Sequence, residues 1–205
     1  MSSLLQFDDR LLLGDGMVAP ERLTALAPRL ESAHNWLLKE HRTGSLSFLE
    51  LGKETDSLSR CKAIVEATPE TITDVVILGI GGSSLGPKAL YSALKPPLYH
   101  LYPDGRRLHF PDNIDPATFS ALLHALPAPS TLYLVVTKSG GTAETAAQFM
   151  IVWNHLVQSL GETAARDHIV AVTDPAAGNL RKLVNEMGWR NVPIPPTVGG
   201  RFSVL

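Results

Sequence analysis

The chain has 205 residues, a length that favours one domain with an appendage. Hydrophobic residues make up 44% and charged residues 19%, which excludes a disordered chain. Eighteen Lys and Arg against twenty Asp and Glu leave a net charge of −2, so there is no global basic field for a nucleic-acid backbone and any anion site must be local.

The N-terminal stretch MSSLLQFDDRLLLGDG carries acids at Asp8 and Asp9 and no basic run, unlike a secretory signal. Its short apolar run, Leu11 to Leu13, is ended by Gly14 and Gly16. Pro20 can open a helix, and Leu23, Leu26, Ala27, Leu30, Ala33, Leu37 and Leu38 recur at helical spacing, which predicts an amphipathic helix over about 20–41. A second helix is predicted from about Glu54 to Ala67, with Leu58, Cys61, Ile64 and Val65 facing inward. Cys61 is the only cysteine, so an intrachain disulfide and a multi-cysteine metal site are both ruled out.

The pattern then changes. Asp74 to Leu78 (DVVIL) reads as a buried strand, followed by GIGGSSLG and a helix to about Leu94. The segment 95–105 (KPPLYHLYPDG) reads as a loop, Arg107 to Phe110 as a short strand and Pro116 to Leu126 as a helix. Thr131 to Val136 (TLYLVV) is a second buried-strand run, followed by TKSGGTAET and a long helix to about Leu160. His168 to Val172 is the next strand, with TDP after it and a helix to about Met187; Val192 and Ile194 suggest a last short strand. No apolar run approaches the ~20 residues that a bilayer crossing takes, and the expectation is a cytoplasmic protein with no membrane partner.

Strands alternating with helices, and strands apolar on both sides, predict a doubly wound three-layer α/β/α sandwich with a parallel sheet of about five strands. The alternation sets in near residue 70, which predicts a helical segment over 1–70 packed on a domain over 71–205. Ligands of such sheets bind at the carboxyl ends of the strands, where strand order reverses. Three polar, glycine-rich segments follow predicted strands: 79–87, 137–145 and 197–203.

In the first segment a dinucleotide fingerprint fails at its sixth position, Ser84, and a P-loop fails because Gly86 is followed by Pro87. Two readings stay open: a sugar or phosphate contact through Gly82 and Ser83, and a tight strand-to-helix turn with Ser83 as helix cap. In the second, Thr137, Lys138, Ser139 and Thr142 place three hydroxyls and an ammonium at a strand end, and Gly140 and Gly141 allow a curl that turns amides inward. That set suits a compact phosphomonoester; the alternative is a solvated capping box, with Gly141 as the cap residue. In the third, Arg201 follows Gly199 and Gly200, where it can approach a ligand and stabilise developing negative charge, or lie exposed in solvent.

Together these segments resemble the glucose-6-phosphate isomerase family. VVILGIGGSSLGP resembles the first strand and sugar-binding loop of its sugar-isomerase (SIS) domain, TKSGGTAET its phosphate loop, and VGGRFSVL the first half of a signature that the chain's last residue, Leu205, would interrupt; HFPDNIDP and AVTDP are in keeping with it. Two positions depart from the phosphate-loop pattern: Gly141 stands where the family has Thr, and Thr137 where it has Ser.

The resemblance implies a hexose 6-phosphate substrate, with the phosphate on Thr137, Lys138, Ser139 and Thr142, the sugar against Gly82 and Ser83, and Arg201 with Gly200 near C1 and C2 of an enediolate. It implies no cofactor, no metal and no nucleic acid. The family carries a second SIS domain with a catalytic Glu, and a His from the partner subunit of a homodimer. The expectation is therefore an N-terminal half that binds substrate groups and lacks the base. A sugar-phosphate-sensing regulatory SIS module and a nucleotide-binding domain are the competing readings; the Arg-bearing third segment counts against the first and Ser84 against the second.

Overall fold

A computed structural model of the chain describes residues 8, 11, 13, 18–53 and 55–199. It divides into two compact units, Met1–Ser47 and Phe48–Leu205. In the first unit the single helix expected over 20–41 is two, α1 (Pro20–Ala25) and α2 (Ala27–Arg42), hinged at Leu26. Pro28 explains the break: it has no N–H for the preceding turn, but sits without cost in the first turn of a new helix. The periodic leucines Leu23, Leu30, Leu37 and Leu38 are exposed, and neither helix has a buried residue.

The second unit begins in a 3-10 helix (Ser47–Lys53), continues into α3 (Asp56–Glu66), then alternates: β1 (Asp74–Leu78), α4 (Gly82–Leu94), β2 (Arg107–His109), α5 (Pro116–Ala125), β3 (Thr131–Val136), α6 (Ala143–Leu160), α7 (Glu162–Arg166), β4 (Ile169–Thr173), α8 (Asn179–Met187) and β5 (Arg190–Pro193). The inward face expected for α3 is mostly wrong. Leu58, Cys61 and Val65 are exposed and only Ile64 packs on the core, because periodicity records where apolar residues recur but not what covers them.

The strands form one parallel sheet in the order β2-β1-β3-β4-β5, as the alternation predicts. β1 is buried at all five positions, which is why its sequence reads as an unbroken apolar run. Its side chains alternate between two cores. Val76 and Leu78 join Tyr133, Val135, Ile169 and Ala171 under residues of α5, α6 and α8, while Val75 and Ile77 join Leu132, Val136 and Val170 on the side where Ile64 of α3 packs. The chain steps from β1 out to β2, then back across to β3 on the other side of β1. The reversal therefore lies between the carboxyl ends of β1 and β3.

At the opposite end of β1 the carboxylate of Asp74 is fully buried. Its Oδ1 accepts from Arg107 Nε at 2.8 Å and His109 Nε2 at 2.7 Å; its Oδ2 accepts from Arg107 Nη2 at 2.6 Å and Thr73 Oγ1 at 2.8 Å. Burial pushes the Asp74 pKa up, but the hydrogen bonds from Arg107, His109 and Thr73 and the Arg107 charge outweigh it and hold the carboxyl below its ordinary range. A carboxylate with a lower pKa folded than unfolded adds stability above its unfolded value of about 3.9, and loses it as pH falls through the folded value. The melting temperature is therefore expected to hold from neutrality to about pH 5 and to drop below about pH 4, with a shallower acid limb in Asp74→Asn. Melts followed by circular dichroism check this; parallel acid limbs in the two proteins would assign the drop to other carboxylates.

Candidate active site

An open cleft of about 930 Å³ lies at the reversal point. It is lined from the β1 exit by Ile80, Gly81, Gly82, Ser83, Leu85 and Gly86, from the β3 exit by Thr137, Lys138, Ser139 and Thr142, and from the β4 exit by Asp174, Ala177 and Gly178. The structure thus brings together Gly82, Ser83, Thr137, Lys138, Ser139 and Thr142. Gly200 and Arg201 lie outside the described residues.

The β1 exit is shaped by glycine. Gly81 caps α4 with φ 59° and ψ −124°, a conformation closed to residues with a side chain. Ser83 is therefore not the cap: it is the second residue of α4, and its amide bonds back to Ile80 O at 3.3 Å. A Cβ on Gly79 would come within 2.9 Å of both Ser83 Cβ and Ser83 O, so the first turn of α4 can fold back only over a glycine. Ser84, the residue that breaks the dinucleotide fingerprint, is wholly buried.

The β3 exit is held against the β4 exit backbone to backbone. Gly140, at φ 66°, leaves no room for a Cβ, which would stand 2.7 Å from Leu180 N; Gly178, at φ 96°, would place one 2.5 Å from Ser139 O. Asp174 N–H donates to Lys138 O at 3.3 Å, and the Ser139 hydroxyl accepts from Gly141 N at 3.3 Å. The hydroxyls of Thr137 and Thr142 stand 3.3 Å apart. Thr142, not Gly141, is the cap residue of α6; no side chain accepts from the first turn of that helix, and Glu144 there is exposed. Among the described residues, the amides of Lys138, Ser139 and Gly140 have no hydrogen-bond partner. The 18-residue α6 and the 13-residue α4 both begin at the cleft, so two positive helix ends meet there.

Two features were not foreseen. Asp174 lines the cleft, its Oδ1 accepting from Ala176 N at 2.8 Å and Ala177 N at 2.9 Å. Those amides, with the charges of Lys138 and Arg181, hold its pKa below the usual carboxylate value. The TDP that follows the strand run was its only signal. The other is that Lys138 turns its ammonium toward the backbone carbonyls of Pro196 and Val198. No run of sequence links those positions.

A cleft at the reversal point, with paired hydroxyls, unpartnered loop amides and two helix N-termini facing it, is a fitting receptor for a small anion. The phosphoglucose isomerase family model matches residues 54–205, three quarters of the chain. The chain belongs to the phosphoglucose isomerase family. Glucose-6-phosphate isomerases of Rubrobacter xylanophilus and Thermus thermophilus are each 39% identical to it, over 97% and 98% of this chain and 46% of their own lengths. The chain thus spans about half the length of these relatives. A crystal structure of a hypothetical Thermus thermophilus protein superposes with a TM-score of 0.78 at 38% identity, over 90% of this chain and 43% of that one. A Chlamydia trachomatis glucose-6-phosphate isomerase gives 0.58 at 31%, over 72% and 26%. The phosphoglucose isomerase model takes in all three strand-exit segments and α3, and begins downstream of α1 and α2.

Proposed function

We propose that this chain is the sugar-phosphate-binding half of a glucose-6-phosphate isomerase, interconverting glucose 6-phosphate and fructose 6-phosphate through an enediolate. The supporting observation is the convergence of the β1 and β3 exits on one cleft at the strand-order reversal, each leading into a helix N-terminus with no side-chain cap. In this reading the phosphate lies on the hydroxyls of Thr137, Ser139 and Thr142 and on the unpartnered amides of 138–140, with the Lys138 charge beside it. Gly82 and Ser83 bear on the sugar from the facing loop. Asp174 is anionic and repels a phosphate, so the hydroxyl-bearing end of the substrate is the part that suits it.

Arg201, with Gly200, supplies the charge that stabilises the enediolate at C1 and C2. The reaction also moves a proton between those carbons, which takes a positioned base. The family assigns that to its second SIS domain and the His to a partner subunit, which makes the working enzyme a homodimer. Its place is central carbohydrate metabolism in the cytoplasm, glycolysis and gluconeogenesis.

Thr142→Ala tests the phosphate assignment. Its side chain makes no cap hydrogen bond, so its loss leaves the start of α6 intact and a change in binding reports on the ligand. A hydrogen bond to a charged acceptor is worth about 1.5–3 kcal/mol, so fructose 6-phosphate should bind about tenfold more weakly or worse. Calorimetry showing unchanged affinity would reduce the loop to a turn.

A further inference from the structure

Lys138 is half-buried, and its ammonium does not face the cleft alone. Two of its three donors go to the carbonyls of Pro196 and Val198, 58 and 60 residues further along the chain. An ammonium is strongly hydrated and normally extends into water, so committing it to two backbone carbonyls asks for a structural return. The rest of the segment is fastened as well. Ile194 N–H donates to Thr173 O at 2.8 Å, Val198 N–H to Pro195 O at 3.0 Å, and Val198 is fully buried. The Lys138 backbone is equally fixed: its carbonyl accepts from Asp174 N and from Thr173 Oγ1 at 3.4 Å. The next two residues, Gly199 and Gly200, are of the type with the widest backbone freedom, and Arg201 follows. Lys138 thus grips the last side-chain-bearing residue before that glycine pair.

We propose that Lys138 is a positioning residue: it straps the Pro196–Val198 segment to the loop after β3 and so fixes the chain three residues ahead of Arg201 in the sequence. This rests on the isomerase reading for Arg201 but not for the strap itself. Phosphate is then recognised by hydroxyls and amides, and the Lys138 ammonium contributes a nearby charge rather than a direct bond. The strap adds a side-chain link to the one that already runs from Lys138 O through Thr173 to the Ile194 N–H.

Hydrogen exchange on this chain is the first test. In Lys138→Met, amides of Thr197 to Gly199 should exchange about tenfold faster, while in Thr142→Ala, which leaves the ammonium in place, they should exchange as in the parent. Unchanged exchange in Lys138→Met, or equal acceleration in Thr142→Ala, overturns the strap. A second arm needs no variant. Adding inorganic phosphate to the unmutated chain should leave exchange at 197–199 no faster; acceleration would show the ammonium leaving the carbonyls for the anion, and the proposal fails.

In the complete enzyme, a residue that aims a catalytic group lowers kcat, whereas a phosphate ligand raises KM. Lys138→Met should lower kcat by about tenfold or more with KM within about threefold, since small misplacements cost up to about a hundredfold. A risen KM with kcat intact overturns the proposal. If the unmutated complete protein does not isomerise fructose 6-phosphate, the isomerase reading fails and the exchange arms alone decide the strap.

Discussion

The 205-residue chain, purified and supplied with fructose 6-phosphate, is expected to form no glucose 6-phosphate above the buffer rate. The reason lies in the carboxylates of the cleft. Among the described residues lining it, Asp174 is the sole one. Its Oδ1 is taken up by two backbone amides, and those bonds hold its pKa below the ordinary carboxylate value. A general base works best with a pKa near the working pH, and a carboxylate depressed this way holds a proton too weakly to draw one from carbon. Glu144, the acid within the phosphate loop motif, is exposed in the first turn of α6 and does not line the cleft. The electrostatic stabilisation proposed for Arg201, worth about 10²–10³ in kcat for a preorganised donor, cannot replace proton transfer. A coupled assay decides this, with the Rubrobacter xylanophilus relative as the active control. Robust turnover by the chain alone, abolished by Asp174→Asn or Glu144→Gln, would place the base in this half and refute the division of labour proposed here.

Gly178→Ala is expected to be the most damaging single methyl in the second unit's loops. The added carbon would stand 2.5 Å from the Ser139 carbonyl oxygen, at a φ of 96° that side-chain-bearing residues rarely adopt. Neither atom belongs to a flexible side chain, so a backbone must move. Gly188 is the control: its φ of 69° carries the same kind of conformational cost, but nothing lies within 4 Å of the added carbon. The left-handed conformation alone costs about 1 kcal/mol, and a backbone collision raises the total to about 3 kcal/mol or more. For a chain of this size that is a melting temperature lower by about 6–12 °C in Gly178→Ala, against about 2–4 °C in Gly188→Ala. The same displacement pushes Ser139 off its position, so anion affinity should fall with stability in the first variant and stay level in the second. Equal melting temperatures would mean that the β3 and β4 exits are not in contact as described.

Much of this was legible in the sequence, and the reasons are physical. β1, β3 and β4 are buried from both sides, so burial itself writes contiguous apolar runs such as DVVIL. That Thr137, Lys138, Ser139 and Thr142 would meet at one cleft was readable because hydroxyls, a lysine and glycines within six positions at a strand end point to a polar site there. Interactions that cross the sheet were not readable. Nothing near Lys138 announces carbonyls some sixty positions away. Nothing at Gly140 or Gly178 says that the two backbones touch. Asp174 showed only as part of a TDP motif, because a carboxylate after a strand is as often a turn residue as a ligand. The inward face assigned to α3 failed for the opposite reason: Leu58, Cys61 and Val65 have the right spacing, but of the four residues only Ile64 packs against the core.

The far margin of the sheet has a bearing on how copies of this chain behave at high concentration. Among the described residues β5 is an edge strand of four residues that pairs only with β4. Because the Ile194 N–H points inward to Thr173 O, the preceding residue faces the open side, and that residue is Pro193. A strand arriving from another molecule would find no donor at that rung. The opposite margin, β2, offers three residues, too few to template a ladder. Growth of the sheet by addition of a strand is thus disfavoured at both margins, at one by a missing donor and at the other by length.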